Sequence, residues 1–363
     1  MKVAILGTRG VPANYGGFET LAEELGRRLA DRGHQVTVYG RRGFIDPSLT
    51  SYRGMRLVVL PSIRTKHLET VSHTFLSALH AAFSRYDAVL LCNAANAPFI
   101  PILRWTGIPV AVNVDGLERK RRKWGAAGRA YYRFGERLSA WLPNQLITDA
   151  RVIQRYYRRF YDQPSEMIAY GGDLEPPTTS ATLQRLGLEP DQYVLYVSRF
   201  EPENNPDRVL EAWSRVTGDR RLVMVGGAPY ADDLIRRMHS IADDRVILPG
   251  TIYGEGYREL LFNCRTYVHA TEVGGTHPAL VEAMGAARPV LYYDTPENRE
   301  VASGAGAGFR FSGSGALETV LNELLDDDAR LAELREASRV RVAEKYRWSS
   351  VTDAYEKVLQ SLC

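Results

Sequence analysis

The run Arg265-Thr266-Tyr267-Val268-His269-Ala270, then Thr271-Glu272-Val273-Gly274-Gly275-Thr276-His277-Pro278, then Ala279-Leu280-Val281-Glu282-Ala283-Met284, constrains this chain more than any other stretch. An apolar, strand-like segment passes through a glycine turn straight into a helical pattern, the order of a strand and its crossover helix in a parallel sheet. Gly274 and Gly275 let the backbone approach a ligand closely, and Pro278 suits a first helical turn. The N–H groups of that turn, next to Thr276 and His277, attract phosphate. Glu282 lies about one turn inside the helix with its side chain directed back to the start, where it can accept hydrogen bonds from a ribose diol. The segment predicts a nucleotide-diphosphate grip.

The same alternation recurs along the chain. Lys2–Leu6 reads as a buried strand, and Phe18, Leu21, Leu25 and Leu29 give a helical spacing that stops at Gly33. Further strands are predicted at Val36–Tyr39, Met55–Leu60, Ala88–Cys92, Pro109–Val114 and Gln145–Thr148. After the turn-rich stretch from Gly171 to Ser180 the pattern restarts, with strands at Tyr193–Val197, Arg221–Val225, Val246–Leu248, Thr266–His269 and Pro289–Tyr293. A chain of 363 residues exceeds the usual size of one core, so two α/β, Rossmann-like domains are expected, 1–172 and 173–348, with a ligand in the cleft between their sheets.

Composition narrows the function. A net charge of +3 is too small to argue for nucleic acid, and no nucleic-acid reading motif accompanies it. Cys92, Cys264 and Cys363 show no paired spacing, so neither a disulfide framework nor a zinc site is expected and a reducing cytoplasm fits. The first residues lack a signal-peptide core, and Asn93, Asn96, Pro98 and Pro101 interrupt the apolar stretch 88–103 before it spans a bilayer. One basic and aromatic run stands out: Arg119-Lys120-Arg121-Arg122-Lys123-Trp124, followed by Arg129, Tyr131, Tyr132, Arg133, Phe134, Arg137 and Trp141, with Arg151, Arg155, Arg158 and Arg159 beyond it. It reads either as a solvated helix face or as a peripheral contact with the inner face of an anionic membrane.

Other candidates sit at predicted strand ends. Gly7-Thr8-Arg9-Gly10 and Tyr15-Gly16-Gly17-Phe18 join the first strand to the first helix, a place for phosphate or substrate, or else a tight turn. Arg199 ends a strand where a fixed cation can balance charge on a departing diphosphate. Asp115, between an apolar strand and Gly116, reads as a sugar-orienting carboxylate or base, or as a turn aspartate; Glu118 is a second candidate. Gly226-Gly227 suits a nucleotide-edge loop or a plain turn. His269 and His277 are not spaced like a metal pair, and no catalytic metal or other cofactor is expected.

Several blocks together resemble the GT-B glycosyltransferases of family GT4. Ser198-Arg199-Phe200, the glycine loop and Glu282-Ala283-Met284 are similar to its donor half. Gly7 to Pro12, Tyr15 to Thr20, Asn113 to Glu118, Glu201 to Asn205 and Gly274 to Pro278 resemble a branch that contains rhamnosyltransferases. The resemblance implies two domains facing across a cleft, with a helix in 349–363 crossing back onto the first. It also implies transfer with retention at the anomeric carbon, from a dTDP- or UDP-linked sugar, most narrowly dTDP-rhamnose, to a glycan or lipid-linked acceptor. Arg199 and Asp115 would be catalytic. Gly16, Gly17, Asn204, Gly226, Gly227, Gly274, Gly275, Thr276, His277 and Glu282 would hold the donor, and Arg9 and Glu118 would lie on the acceptor side.

Two departures accompany the resemblance. Much of the family has lysine five positions after the arginine, where this chain has Asn204, so Asn204, Asn205 or Glu203 would contact the donor instead. The family often has glutamate eight positions before Glu282, and here that position is Gly274, which passes sugar contacts to the loop backbone. A nucleotide-sugar epimerase and a non-catalytic carbohydrate-binding protein remain alternatives. A nicotinamide-dependent dehydrogenase would explain the first half alone, although Gly7 to Gly10 does not complete GxGxxG.

Overall fold

The computed structural model describes residues 1–65, 68–227 and 232–363. The chain forms two compact units, one of residues 1–120, 124–170 and 348–363, the other of 121–123 and 171–347.

In the first unit β1 (Lys2–Leu6) leads through the loop 7–16 into α1 (Gly17–Asp31) and β2 (Gln35–Arg41). Then come β3 (Ser51–Tyr52), β4 (Met55–Leu60), α2 (Glu69–Ala82), β5 (Ala88–Cys92), α3 (Ile100–Trp105), β6 (Val110–Val114), α4 (Ala126–Trp141), β7 (Gln145–Thr148), α5 (Arg151–Tyr161) and β8 (Glu166–Met167). The strands lie in the order β3-β4-β2-β1-β5-β6-β7-β8, all parallel except β3, which runs antiparallel to β4. Alternate residues sort to the two faces, as the period of a strand requires. Val3, Ile5, Val36, Val38, Leu90 and Cys92 join one core with Leu21, Leu25 and Leu29 of α1. Ala4, Leu6, Tyr39, Val89 and Leu91 join the other with Ala78, Leu103, Ala140, Ile153 and Tyr157 from α2 to α5.

The second unit repeats the plan with α6 (Ala181–Leu186), β9 (Tyr193–Arg199), α7 (Pro206–Trp213), β10 (Arg221–Gly227), α8 (Asp232–Ile241), β11 (Val246–Gly250), α9 (Gly254–Asn263) and β12 (Thr266–His269). It continues with α10 (Pro278–Gly285), β13 (Val290–Tyr293), α11 (Pro296–Ala302), β14 (Ala307–Phe309), α12 (Leu317–Leu324) and α13 (Asp328–Lys345). The parallel order is β11-β10-β9-β12-β13-β14. Val194, Tyr196, Leu222, Met224, Val268 and Leu291 pack with Val209 and Trp213 of α7, Met238 of α8, Leu321 of α12 and Leu331 and Leu334 of α13. Gly171 and Gly172, read from sequence as the end of the first domain, belong to this unit. The Gly172 N–H donates to the Tyr346 carbonyl at 2.7 Å.

The last helix, α14 (Trp348–Leu362), belongs to the first unit, where Trp348, Val351, Tyr355, Val358 and Leu359 complete the core beneath α1.

Candidate active site

In the second unit β9 and β12 are neighbours, with β10 and β11 beyond one and β13 and β14 beyond the other. The connections leaving β9 and β12 therefore diverge, and a crevice opens outside the carboxyl ends of these two strands. Arg199 is the last residue of β9 and the loop 270–277 follows β12, so both reach this switch point.

Three bonds tie the two loops together. The Glu272 N–H donates to the Glu203 carbonyl at 2.9 Å. The Asn205 amide donates to the Ala270 carbonyl at 2.9 Å and to Glu272 Oε1 at 3.1 Å. The Asn204 side-chain amide donates to the carbonyl of Arg199 at 2.6 Å, while the backbone carbonyl of Asn204 accepts from the Tyr196 hydroxyl at 2.6 Å. Both asparagines are buried braces.

Charges gather at the same place. Glu201 Oε1 lies 3.1 Å from Lys123 Nζ and 3.7 Å from an Arg199 guanidinium nitrogen, and Glu201 Oε2 lies 3.6 Å from Arg121. Burial raises the Glu201 carboxyl, but Arg199, Lys123 and Arg121 more than reverse this and hold it at about 2. Arg121 also reaches the fully buried Glu203 at 3.4 Å, and Arg122 pairs with Glu272 at 2.8 Å. Sequence reading treated these cations as a helix face or membrane patch and missed their place here. Their number in one short run was the available signal.

His277 caps α10 in an extended conformation. Its Nδ1 lies 2.9 Å from Asn298 Oδ1, while the Asn298 amide nitrogen donates to the carbonyls of Thr271 and Tyr293 at 3.0 and 2.9 Å. Those two bonds fix the amide, so Nδ1 carries the proton and donates. Burial, with the charges of Arg121 and Arg199, holds the imidazole at about 4, so it is neutral near pH 7. The ring lies against the α-carbon of Gly274, and a side chain at 274 would overlap it. A side chain at 274 would therefore require the His277 ring to move. His269, buried and held well below the usual imidazole range by burial, packs against His277 with ring centroids 4.7 Å apart.

Of the other donor candidates, Gly226, Gly227, Gly275, Thr276 and Glu282 lie in this unit. Gly275 and Thr276 are buried in the loop, and buried Glu282 of α10 accepts from the Tyr257 hydroxyl at 2.7 Å. Gly226 and Gly227 end β10 beside Ser198 and Arg199; a methyl at 226 would overlap the Ser198 carbonyl, so this glycine permits close strand approach. Asn298 and Tyr257 were not singled out from sequence, and no local pattern marks them.

In the first unit the loop after β1 carries Arg9, Gly16 and Gly17. The Arg9 guanidinium lies over the Tyr15 and Phe44 rings and 3.4 Å from Glu69, while the backbone N–H of Arg9 donates to Glu19 at 2.7 Å. Gly16 caps α1 and Gly17 begins it. Asp115 follows β6, and Glu118 opens the short 3-10 turn Glu118–Lys120; both are half-buried.

Residues 16–171 match the family described as "Glycosyl transferase 4-like domain", and residues 181–341 match "Glycosyl transferases group 1". The chain belongs to the GT4-like, group 1 glycosyltransferases. A curated relative is the GDP-mannose-dependent monoacylated alpha-(1-6)-phosphatidylinositol monomannoside mannosyltransferase of Corynebacterium glutamicum. It is 25% identical over 229 residues, which take in 58% of this chain and 60% of that protein. Among solved structures, sucrose-phosphate synthase from Thermosynechococcus elongatus superposes with a TM-score of 0.82 at 19% identity, over 99% of this chain and 98% of that one. Anabaena HepE in complex with UDP and glucose gives 0.79 at 17% identity, over 99% and 100%. Two Rossmann-like α/β domains with parallel sheets give this glycosyltransferase the GT-B fold. Among the described residues no helix is long and apolar enough to cross a membrane, and no three His, Cys, Asp or Glu side chains are placed to hold a metal ion.

Proposed function

We propose that this glycosyltransferase moves a 6-deoxyhexose, rhamnose from dTDP-rhamnose, onto a hydroxyl of a glycan or lipid-linked saccharide, with retention at the anomeric carbon. The observation that carries the donor reading is the meeting of Arg199, the Gly274–His277 loop at the start of α10, and Glu282 at one switch point. A cation and a helix N-terminus stabilise charge developing on the nucleotide diphosphate, and Glu282 accepts from the ribose. Rhamnose rests on the resemblance of the Gly7–Pro12, Tyr15–Thr20 and Gly274–Pro278 blocks. The relatives name GDP-mannose, UDP and glucose, which supports a nucleotide sugar more broadly. Asp115 and the Gly16-Gly17 loop are assigned to orienting sugar and acceptor, with Arg9 and Glu118 on the acceptor side.

Calorimetry with dTDP and dTDP-rhamnose is expected to show binding without added divalent cation, tighter than UDP-glucose or GDP-mannose. Tighter binding of either competitor would reassign the sugar. Binding of NAD with no response to any nucleotide sugar would sink the reading altogether.

A lipid-linked acceptor is supported by α4 and α5. Arg129, Arg133 and Arg137 recur every fourth residue on α4 and are exposed, beside exposed Phe134 and Trp141; Arg155, Arg158, Arg159 and Phe160 are exposed on α5. Cations near an anionic bilayer contribute roughly 1 kcal/mol each before screening. The protein is expected to sediment with anionic but not neutral vesicles, less so as salt rises. Charge reversal at Arg129, Arg133 and Arg137 should release it, whereas Arg121, Arg122 and Lys123 already pair with carboxylates. A wild-type chain that stays in the supernatant at low salt would point to a soluble acceptor.

A further inference from the structure

A nucleoside diphosphate brings at least two negative charges close together, and one guanidinium leaves part of that charge for backbone dipoles alone. The residue five positions beyond Arg199 supplies no cation, because Asn204 is neutral; its amide nitrogen donates to the Arg199 carbonyl. A replacement stands in the same crevice. Arg121–Lys123 belongs to the second unit although it is separated from the rest of it in sequence. Arg121 pairs with Glu201 and Glu203 in the loop after β9, and Arg122 with Glu272 in the loop after β12. Since the Glu272 N–H is bonded to the Glu203 carbonyl, the segment lies where the two loops meet, at the switch point itself.

Glu201 sets the spacing of the two arginines. Arg199 approaches its Oε1 at 3.7 Å and Arg121 its Oε2 at 3.6 Å, so one carboxylate holds two guanidiniums side by side that would otherwise repel. The Arg121 side chain is only 8% exposed, so its charge acts in a poorly solvated place and is weakly screened. The imidazole of His277, which caps α10, is depressed by burial and further by both arginines. Planar guanidinium forks suit phosphate oxygens better than an ammonium does.

We infer that Arg121 is a diphosphate-binding residue, the second cation of the donor site, positioned beside Arg199 by Glu201 and Glu203 in place of the lysine that Asn204 replaces. The inference rests on the nucleotide-sugar reading above. It assigns part of the leaving group's recognition to a segment lying fifty residues before the second Rossmann-like fold begins.

The test titrates dTDP and UDP, and separately thymidine and uridine, into the full chain and its R121A, R121K and R121Q/E203Q variants by calorimetry. R121A is expected to weaken diphosphate binding roughly ten- to hundredfold, the scale of one charged hydrogen-bonding partner, with nucleoside affinity unchanged. R121K should recover part of the loss. The double variant removes the cation with its buried carboxylate partner, keeps an amide pair in their place, and should lose diphosphate affinity alone even if R121A does not fold. Diphosphate binding at wild-type strength in the double variant would overturn the inference, as would equal losses for diphosphate and nucleoside, which mark a brace. Tighter binding would overturn it too, by marking the segment as an obstruction. If the wild-type chain binds no nucleoside diphosphate at all, the underlying functional reading fails instead.

Discussion

Arg199→Ala is expected to slow sugar transfer roughly a hundredfold at saturating donor, the scale on which a fixed electrostatic stabiliser of a developing anion acts. Arg199 ends β9 with its backbone paired to Gly227 and its carbonyl bonded to Asn204, so truncating the side chain leaves the strand and loop in place. Its charge matters most once the bond to the sugar has lengthened and the diphosphate oxygen carries more charge than in the bound donor. Turnover should therefore fall more than donor affinity does. Glu282→Ala offers the contrast, since a ribose contact is made equally in ground and transition states, and it should mainly raise the KM for donor. Steady-state kinetics on both variants check this. Unchanged turnover in Arg199→Ala would move the leaving-group site elsewhere.

The largest expected effect on stability comes from Gly285→Ala. Gly285 ends α10, and a methyl there would overlap the Gly172 carbonyl; a methyl on Gly172 would in turn overlap Val281. Both obstacles involve backbone, so no change of rotamer relieves them, and overpacking should reach about 3 kcal/mol. For a unit of this size that lowers the melting temperature by roughly 6–12 °C. Because α10 begins at the Gly274–His277 loop, a displaced helix should also weaken nucleotide binding. Thermal melting with and without dTDP measures both effects. A variant that melts with the wild type would show that the 171–172 segment moves aside without cost.

The two sheets were legible because each central strand is a short apolar run closed by glycine or polar residues, as at Ala88–Cys92 and Thr266–His269. β3, β8 and β14 were not, since strands of two or three residues at sheet edges carry no measurable alternation. Of the candidate site, the strand-end positions could be read directly: a residue that closes a parallel strand faces the carboxyl end of the sheet whatever its side chain. What the side chains meet there could not. Asn204 reads as a ligand-contacting substitute for lysine, and nothing in the sequence shows that its amide nitrogen also braces the Arg199 carbonyl. Gly274 looks like the loss of a carboxylate until the His277 ring is found in the space. The basic residues at 121–123 look solvated because their carboxylate partners Glu201, Glu203 and Glu272 lie far along the chain, and charge pairing at that separation leaves no local pattern.

The return of α14 to the first unit bears on how the chain comes off the ribosome. Trp348, Tyr355 and Leu359 cover the core formed by Val3, Ile5 and Leu90, yet they are synthesised only after all of residues 171–347. At ordinary elongation speeds that interval is on the order of ten to thirty seconds. The usual sequence, in which an amino-terminal domain finishes folding while the next is being made, is therefore unavailable. The part of the β1–β5 face that α1 does not reach keeps its apolar residues uncovered in the nascent chain until α14 has been made.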